Sequence, residues 1–203
     1  MELERQRERI MARDAELVQI VDLALADAAR RAGPWLACRP GCTQCCHGAF
    51  AINALDAMRL RAGLDRLRVD APRAASALEQ RARAWRDTYA SEFPGDPVSG
   101  ELGRSEQERE RFDDFANDAP CPALNPSSGL CDVYDYRPMT CRVFGPPTRL
   151  ADEGTLGCCD LCFVGASPEA VAACEMMVPS STESELLEAA GPAETVVAFA
   201  LLC

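Results

Sequence analysis

Twelve cysteines in a chain of 203 residues are the groups best able to do chemistry, and they are not scattered. Cys38, Cys42, Cys45 and Cys46 form one block; Cys121, Cys131 and Cys141 follow well downstream, and Cys158, Cys159 and Cys162 come after them. Thiolates are the ligands that zinc and iron-sulfur centres use. The C-x2-C spacing from Cys42 to Cys45 lets a tight turn aim two sulfurs at one ion, and Cys38 stands at a workable separation from them. Pro40-Gly41 supplies the bend. Cys46 is harder to place, because adjacent side chains diverge in both extended and helical backbone. That geometry favours a polynuclear cluster, or two sites sharing the segment, over four ligands from this block on one tetrahedral zinc.

Composition excludes several other chemistries. All 21 basic residues are Arg, so there is no Lys for a Schiff base or a phosphate loop. His47 is the sole histidine, and any histidine triad or zinc-protease helix would have to run through it. The net charge of −11 is uneven: residues 1–111 hold 18 Arg against 18 acids, and residues 112–203 hold 3 Arg against 14. An acidic chain without a basic stripe is a poor nucleic-acid binder, so no nucleic-acid partner is expected. The start of the chain is charged throughout, and its longest uncharged apolar run, 195–203, falls well short of the roughly 20 residues that span a bilayer. A cytoplasmic protein with no membrane association is therefore expected. In a reducing compartment clustered cysteines serve as metal ligands or redox groups more often than as structural disulfides.

The elements that must position these thiols read as helices. Residues 2–32 carry Ile10, Leu17, Val21, Leu25 and Ala28 on one stripe, and Gly33-Pro34 stops the helix. Phe50 and Ile52 alternate as in a short strand, and Asn53 caps a helix through about Ala62. A third helix runs from Pro72 to about Tyr89, with Leu78, Arg81, Trp85 and Tyr89 on one face. Residues 94–103 read as an exposed loop, and Ser105 with Glu108 makes a capping box for a short helix presenting Phe112 and Phe115. From Pro120 to about Pro147 six prolines break any period. Helices are expected near 168–177, 183–190 and 193–202.

The fold class expected is mainly α with little β: a small, irregular, metal-stapled cysteine-rich domain packed on a helical scaffold. Its parts are an N-terminal amphipathic helix over 1–34, a cysteine-cluster metal-binding domain over 35–165 with a helical insertion at about 53–117, and C-terminal helices over 166–203. A structural thiolate-rich zinc site contributes on the order of 10–16 kcal/mol, comparable with the ~5–15 kcal/mol stability of a whole domain. Metal can thus hold an irregular segment that hydrogen-bond ladders cannot.

The run Cys38-x3-Cys42-x2-Cys45-Cys46, followed by Cys121-Pro122-Ala123-Leu124, then Cys131-Asp132-Val133-Tyr134 and Arg137-Pro138-Met139-Thr140-Cys141-Arg142, resembles the YkgJ-like cysteine-cluster family. That family is described as chelating zinc or iron, and flagellin lysine methylases carry a related cluster. The resemblance implies metal ligation by Cys38, Cys42, Cys45, Cys46, Cys121, Cys131, Cys141 and a last cysteine. The family has a single cysteine at that last place, often before an Asp; here Cys158, Cys159 and Cys162 compete, and Cys159, next to Asp160, is the first choice with Cys162 second.

Arg137 and Arg142 have two readings: guanidinium groups that offset the charge of a thiolate cluster, or partners in ordinary ion pairs. His47 reads as a solvent-exposed or backbone-bonded imidazole. Cys174 reads as a small hydrophobe on a helix face and Cys203 as a chain end. The functional expectation is a cytosolic protein that holds an iron-sulfur cluster or zinc through clustered cysteines. The rivals are a cluster-dependent protein-modifying enzyme of the lysine-methylase kind and a structural zinc module that offers its N-terminal helix to a protein partner.

Overall fold

Helix α1, Glu2–Ala32, forms over the stripe that the sequence marks: Leu17, Val21 and Ala28 are fully buried and Ile10 nearly so. In the computed structural model, which describes residues 1–149, 156–178 and 180–202, it is followed by β1 (Ile52–Asn53), α2 (Ala54–Asp70), α3 (Pro72–Tyr89) and α4 (Glu106–Asp113). Next come β2 (Leu124–Asn125), β3 (Leu130–Cys131), α5 (Met139–Val143), β4 (Thr148–Arg149) and β5 (Leu156–Gly157). The order ends with α6 (Pro168–Ala172), α7 (Ser180–Ala190), β6 (Glu194–Thr195) and α8 (Val197–Ala200). The fold is mainly α, and its strands are two-residue antiparallel pairs, β1 with β6, β2 with β3 and β4 with β5. Cys203 lies outside the described residues. Among the described residues no helix is long and apolar enough to cross a membrane.

The chain divides into two compact units, one made of Met1–Cys42 with Met139–Ala189 and the other of Thr43–Pro138 with Ala190–Cys203. In the first, α5 packs on α1, and the buried Arg142 of α5 pairs with Asp22 of α1. Arg31, in the last turn of α1, donates to the carbonyls of Ala173 and Glu175. A small core of Ala32, Cys159, Cys162, Phe163 and Cys174 lies beyond the end of that helix.

In the second unit α2, α3 and α8 enclose Leu60, Leu64, Ala75, Leu78, Ala82, Val197 and Ala200. An adjoining aromatic group joins Trp85, Phe93, Phe115 and Phe199, with Trp85 edge-on to Phe115 at 5.9 Å. Both expected caps are formed: Asn53 accepts from the Asp56 amide at 2.9 Å, and the Ser105–Glu108 capping box is complete.

Five expectations need correction; one is the helix expected over 193–202, where the strand β6 (Glu194–Thr195) precedes the short α8 (Val197–Ala200). Helix α2 continues to Asp70 rather than stopping near Ala62. Gly63, a poor helix residue, is kept bare by Tyr136, whose Cβ would lie 2.6 Å from an added methyl group. Residues 94–103 are exposed only at their tip, because Gly95 bridges to Leu102, which is buried, and Gly100 at φ +75° presses against the Phe199 ring. Phe115 lies beyond α4, in the turn where its amide bonds the Phe112 carbonyl. Helix α6 ends at Ala172, so Cys174 is buried in a turn and Met176 pairs with Thr148 instead of extending the helix.

Candidate metal centre

In the second unit a backbone ladder brings distant thiols together. The Cys121 amide donates to the Cys46 carbonyl at 2.8 Å, and the Gly48 amide donates to the Ala119 carbonyl at 2.9 Å. His47, exposed, bridges to Pro120 between them. The hairpin β2–β3 then folds back so that Leu124 stands opposite Cys131. Its turn is held by Asn125, whose side chain accepts from the Ser127 amide at 3.0 Å, and by Gly129 at φ +69°. Arg81 of α3 fixes the hairpin to the helical scaffold, donating to the Pro122 carbonyl at 2.9 Å and pairing with Asp132.

The result is one group of four thiols, Cys45, Cys46, Cys121 and Cys131, in which every pairing is close enough to interact electrostatically. The Cys46 thiol donates to the Cys45 sulfur, which draws Cys45 down to about 6, with the Arg137 guanidinium helping, and pushes Cys46 far up. Burial raises Cys121 to about 12 and raises Cys131 as well. Arg137 is itself buried, stacks 4.0 Å over the Tyr134 ring and donates to the Tyr134 carbonyl. The two arginines therefore separate: Arg137 faces the thiols, whereas Arg142 makes an ion pair with Asp22. The adjacent pair also behaves differently from the expectation of diverging side chains. In the short 3-10 turn Gln44–Cys46 the two sulfurs meet.

The first unit holds a second group. Cys38 interacts with Cys42, Cys159 and Cys162, and Cys159 interacts with Cys42 and Cys162. The Pro40-Gly41 turn, with Gly41 at φ +87°, closes through a bond from the Cys42 amide to the Arg39 carbonyl at 2.9 Å. The Ala37 amide donates to the Cys162 sulfur at 3.4 Å, and the Phe163 amide to the Trp35 carbonyl at 2.8 Å. Burial and the neighbouring thiols push Cys38 up to about 12 and raise Cys159. Gly145, at φ +128°, leaves room for this group, since a Cβ there would come within 2.8 Å of the Cys38 sulfur. Burial raises the Cys158 thiol, and the neighbouring Cys162 and Asp160 add to that. Cys141 is half-buried on α5 in this same unit.

The sequence-expected ligands thus divide into Cys45, Cys46, Cys121 and Cys131 in one unit and Cys38, Cys42, Cys141 and Cys159 in the other. Sequence reasoning ranked Cys162 second and missed Gly145 altogether; the only sign of Gly145 was its place before Pro146-Pro147. None of the described cysteines is in a disulfide. Among the described residues no three or more His, Cys, Asp or Glu side chains already stand at coordination spacing. The donor set nevertheless suits a soft metal centre. Thiols that raise one another's pKa resist joint ionisation, and a bound cation reverses that penalty.

Residues 37–162 match the family model CxxCxxCC, described as "Putative zinc- or iron-chelating domain". The chain belongs to the CxxCxxCC family. The matched span includes all of its cysteines except Cys174 and Cys203. Membership gives the CxxCxxCC domain's clustered thiols zinc or iron chelation as their general role. No curated protein and no solved structure matches the chain.

Proposed function

We propose that Cys45, Cys46, Cys121 and Cys131 are the ligands of a resident metal centre, and that this centre is an iron-sulfur cluster rather than a lone zinc ion. One observation carries the reading: four thiols from two distant segments interact in every pairing beside a buried guanidinium, Arg137. Four thiolates satisfy either centre. The buried Arg137 beside the thiols favours the cluster, because a guanidinium next to cluster sulfur is one of the levers that set a cluster's potential. When bound, such a cluster would supply one-electron chemistry or a structural tie.

The chain's own residues do the rest. The β2–β3 hairpin and the Cys46–Cys121 ladder hold the sulfurs, Arg81 anchors the hairpin, and Arg137 offsets the anionic charge and tunes the potential. A reducing, cytoplasmic setting accompanies this reading, since it keeps the thiols available. Protein expressed and purified without oxygen is expected to be brown and to contain iron with acid-labile sulfide. Colourless protein with stoichiometric zinc would overturn the cluster, and protein that as purified holds neither iron nor zinc and takes up neither when offered would overturn the centre itself.

A further inference from the structure

We infer that Cys38, Cys42, Cys159 and Cys162 form a second, separate thiolate metal site, carried by the first unit alone. The inference rests on the reading of the chain as a resident metal binder, but it concerns different residues. It goes beyond that reading in the number of sites and in the identity of the last ligands.

Three observations carry it. The first is connectivity. Cys38 interacts with all three of the others, and Cys159 with Cys42 and Cys162. Each named interaction partner of these thiols lies within the first unit. The Cys45 group has the same property in the second unit. The division falls inside the first cysteine block, between Cys42 and Cys45, so the C-x2-C spacing serves two sites, one at each end.

The second observation is the backbone around the sulfurs. Pro40-Gly41 turns the chain between Cys38 and Cys42, and a turn from Cys159 to Cys162, closed at 2.8 Å, does the same for the other pair. Two short chelating turns facing each other are how thiolate metal sites are commonly assembled. The Ala37 amide donates to the Cys162 sulfur, the type of bond that stabilises a ligating thiolate.

The third is space. Gly145 lacks the side chain that would fill the position beside the Cys38 sulfur, and its carbonyl accepts from the Cys159 amide at 3.3 Å. It therefore ties one chelating turn and makes room at the other. Cys38, Cys42, Cys159 and Cys162 already supply the four ligands that complete a tetrahedral ion, and Cys158, beside Cys162 and Asp160, is not needed.

The test uses full-length protein, prepared without oxygen, stripped of metal and titrated with zinc(II). Bound zinc is measured by elemental analysis, and cysteine protection from iodoacetamide is mapped by mass spectrometry. Wild-type protein is expected to retain two equivalents and to protect both groups. The pair Cys159→Ser/Cys162→Ser should retain one equivalent and leave Cys38 and Cys42 open, with Cys45, Cys46, Cys121 and Cys131 still protected. The pair Cys121→Ser/Cys131→Ser should show the converse. A single equivalent in wild type, lost in either double variant, would mean one shared centre and would overturn this inference while leaving the proposed function intact. A single equivalent lost only with Cys121 and Cys131 would do the same, as would an intact Cys38–Cys162 disulfide in place of metal. Wild-type protein that binds no metal would overturn the proposed function, and this inference with it. Because wild-type stoichiometry decides between one site and two, the test stands even if a variant does not fold.

Discussion

Cys45 and Cys38 are both solvent-exposed, yet their surroundings drive their thiols in opposite directions, to about 6 and about 12. In the metal-free protein access does not distinguish them, so alkylation reads ionisation. At pH 7 a thiol of pKa about 6 is roughly nine-tenths thiolate, whereas one at about 12 is ionised in roughly one molecule in 10⁵. Intrinsic nucleophilicity works the other way, falling with a slope of about 0.4–0.5 per pKa unit, which over six units returns a factor of roughly 250–1000. The net expectation is that iodoacetamide modifies Cys45 on the order of 10² faster than Cys38. The pH profile is more telling than the ratio. Cys45 labelling should be nearly flat above pH 7 and fall as the pH drops through about 6, while Cys38 labelling should climb about tenfold per unit throughout. Two changes should move the Cys45 profile upward in pH: Cys46→Ala, which removes the donor to its sulfur, and Arg137→Gln, which removes the nearby cation. Peptide-resolved mass spectrometry on protein stripped of metal under reductant measures all of this. If Cys45 rises tenfold per unit between pH 6 and 8 like an ordinary thiol, the assignment of a preformed Cys46–Cys45–Arg137 arrangement is wrong.

Zinc uptake by the second unit should release protons, because Cys46, Cys121 and Cys131 are all raised and remain protonated at neutral pH while Cys45 does not; chelator competition should show apparent affinity rising up to about a thousandfold per pH unit near neutrality, and a slope below tenfold would contradict it. Gly145→Ala combines a positive φ with a close approach to the Cys38 sulfur and should destabilise the first unit by roughly 1–3 kcal/mol in thermal unfolding. Gly63→Ala reverses the usual helix rule: an ordinary exchange gains about 1 kcal/mol, but here the methyl group meets Tyr136, so urea unfolding should show a loss of about 1–3 kcal/mol. Asp56→Ala removes a buried ion-pair partner of Arg59 and should cost about 1–3 kcal/mol in the same assay, whereas a surface pair such as Arg66–Asp70 should cost under about 1 kcal/mol.

What was legible in the sequence was whatever depends on near neighbours. The α1 stripe, the Asn53 and Ser105 caps and the Pro72 start of α3 are all local devices, and each stands where its residues indicate. The full length of α2 was hidden because Gly63 argues against helix until Tyr136, far along the chain, is seen to occupy the space that a side chain would need. The thiol-rich character of the site was plain, but its division was not. Spacing alone pairs Cys42 with Cys45, and only the ladder between 46–48 and 119–121 shows that Cys45 and Cys46 are committed to Cys121 and Cys131. That Cys159 and Cys162 both stand beside Cys38 could not be read from composition either, since it depends on the Ala37 amide and on Gly145.

The two units stand differently toward metal. In the second, α2, α3 and α8 close a core of leucines, valines and alanines beside an aromatic group, and the thiol hairpin is attached to that scaffold by Arg81. Such a core persists without metal, and a centre there is an addition to a structure already built. In the first, the buried residues beneath the thiol turns are Ala32, Phe163 and three cysteines, two of them the proposed ligands Cys159 and Cys162, with Leu36, Ala37, Ala166 and Val171 partly buried against them. Burying a few small side chains contributes only about 1–3 kcal/mol each. A thiolate-rich metal site contributes on the order of 10 kcal/mol or more, so a metal bound there would contribute about as much as the packing around it. On the two-site reading the thiols would take two physical roles in one chain: around Cys45 a preformed cradle, and around Cys38 a staple that adds about as much to the local fold as its packing does.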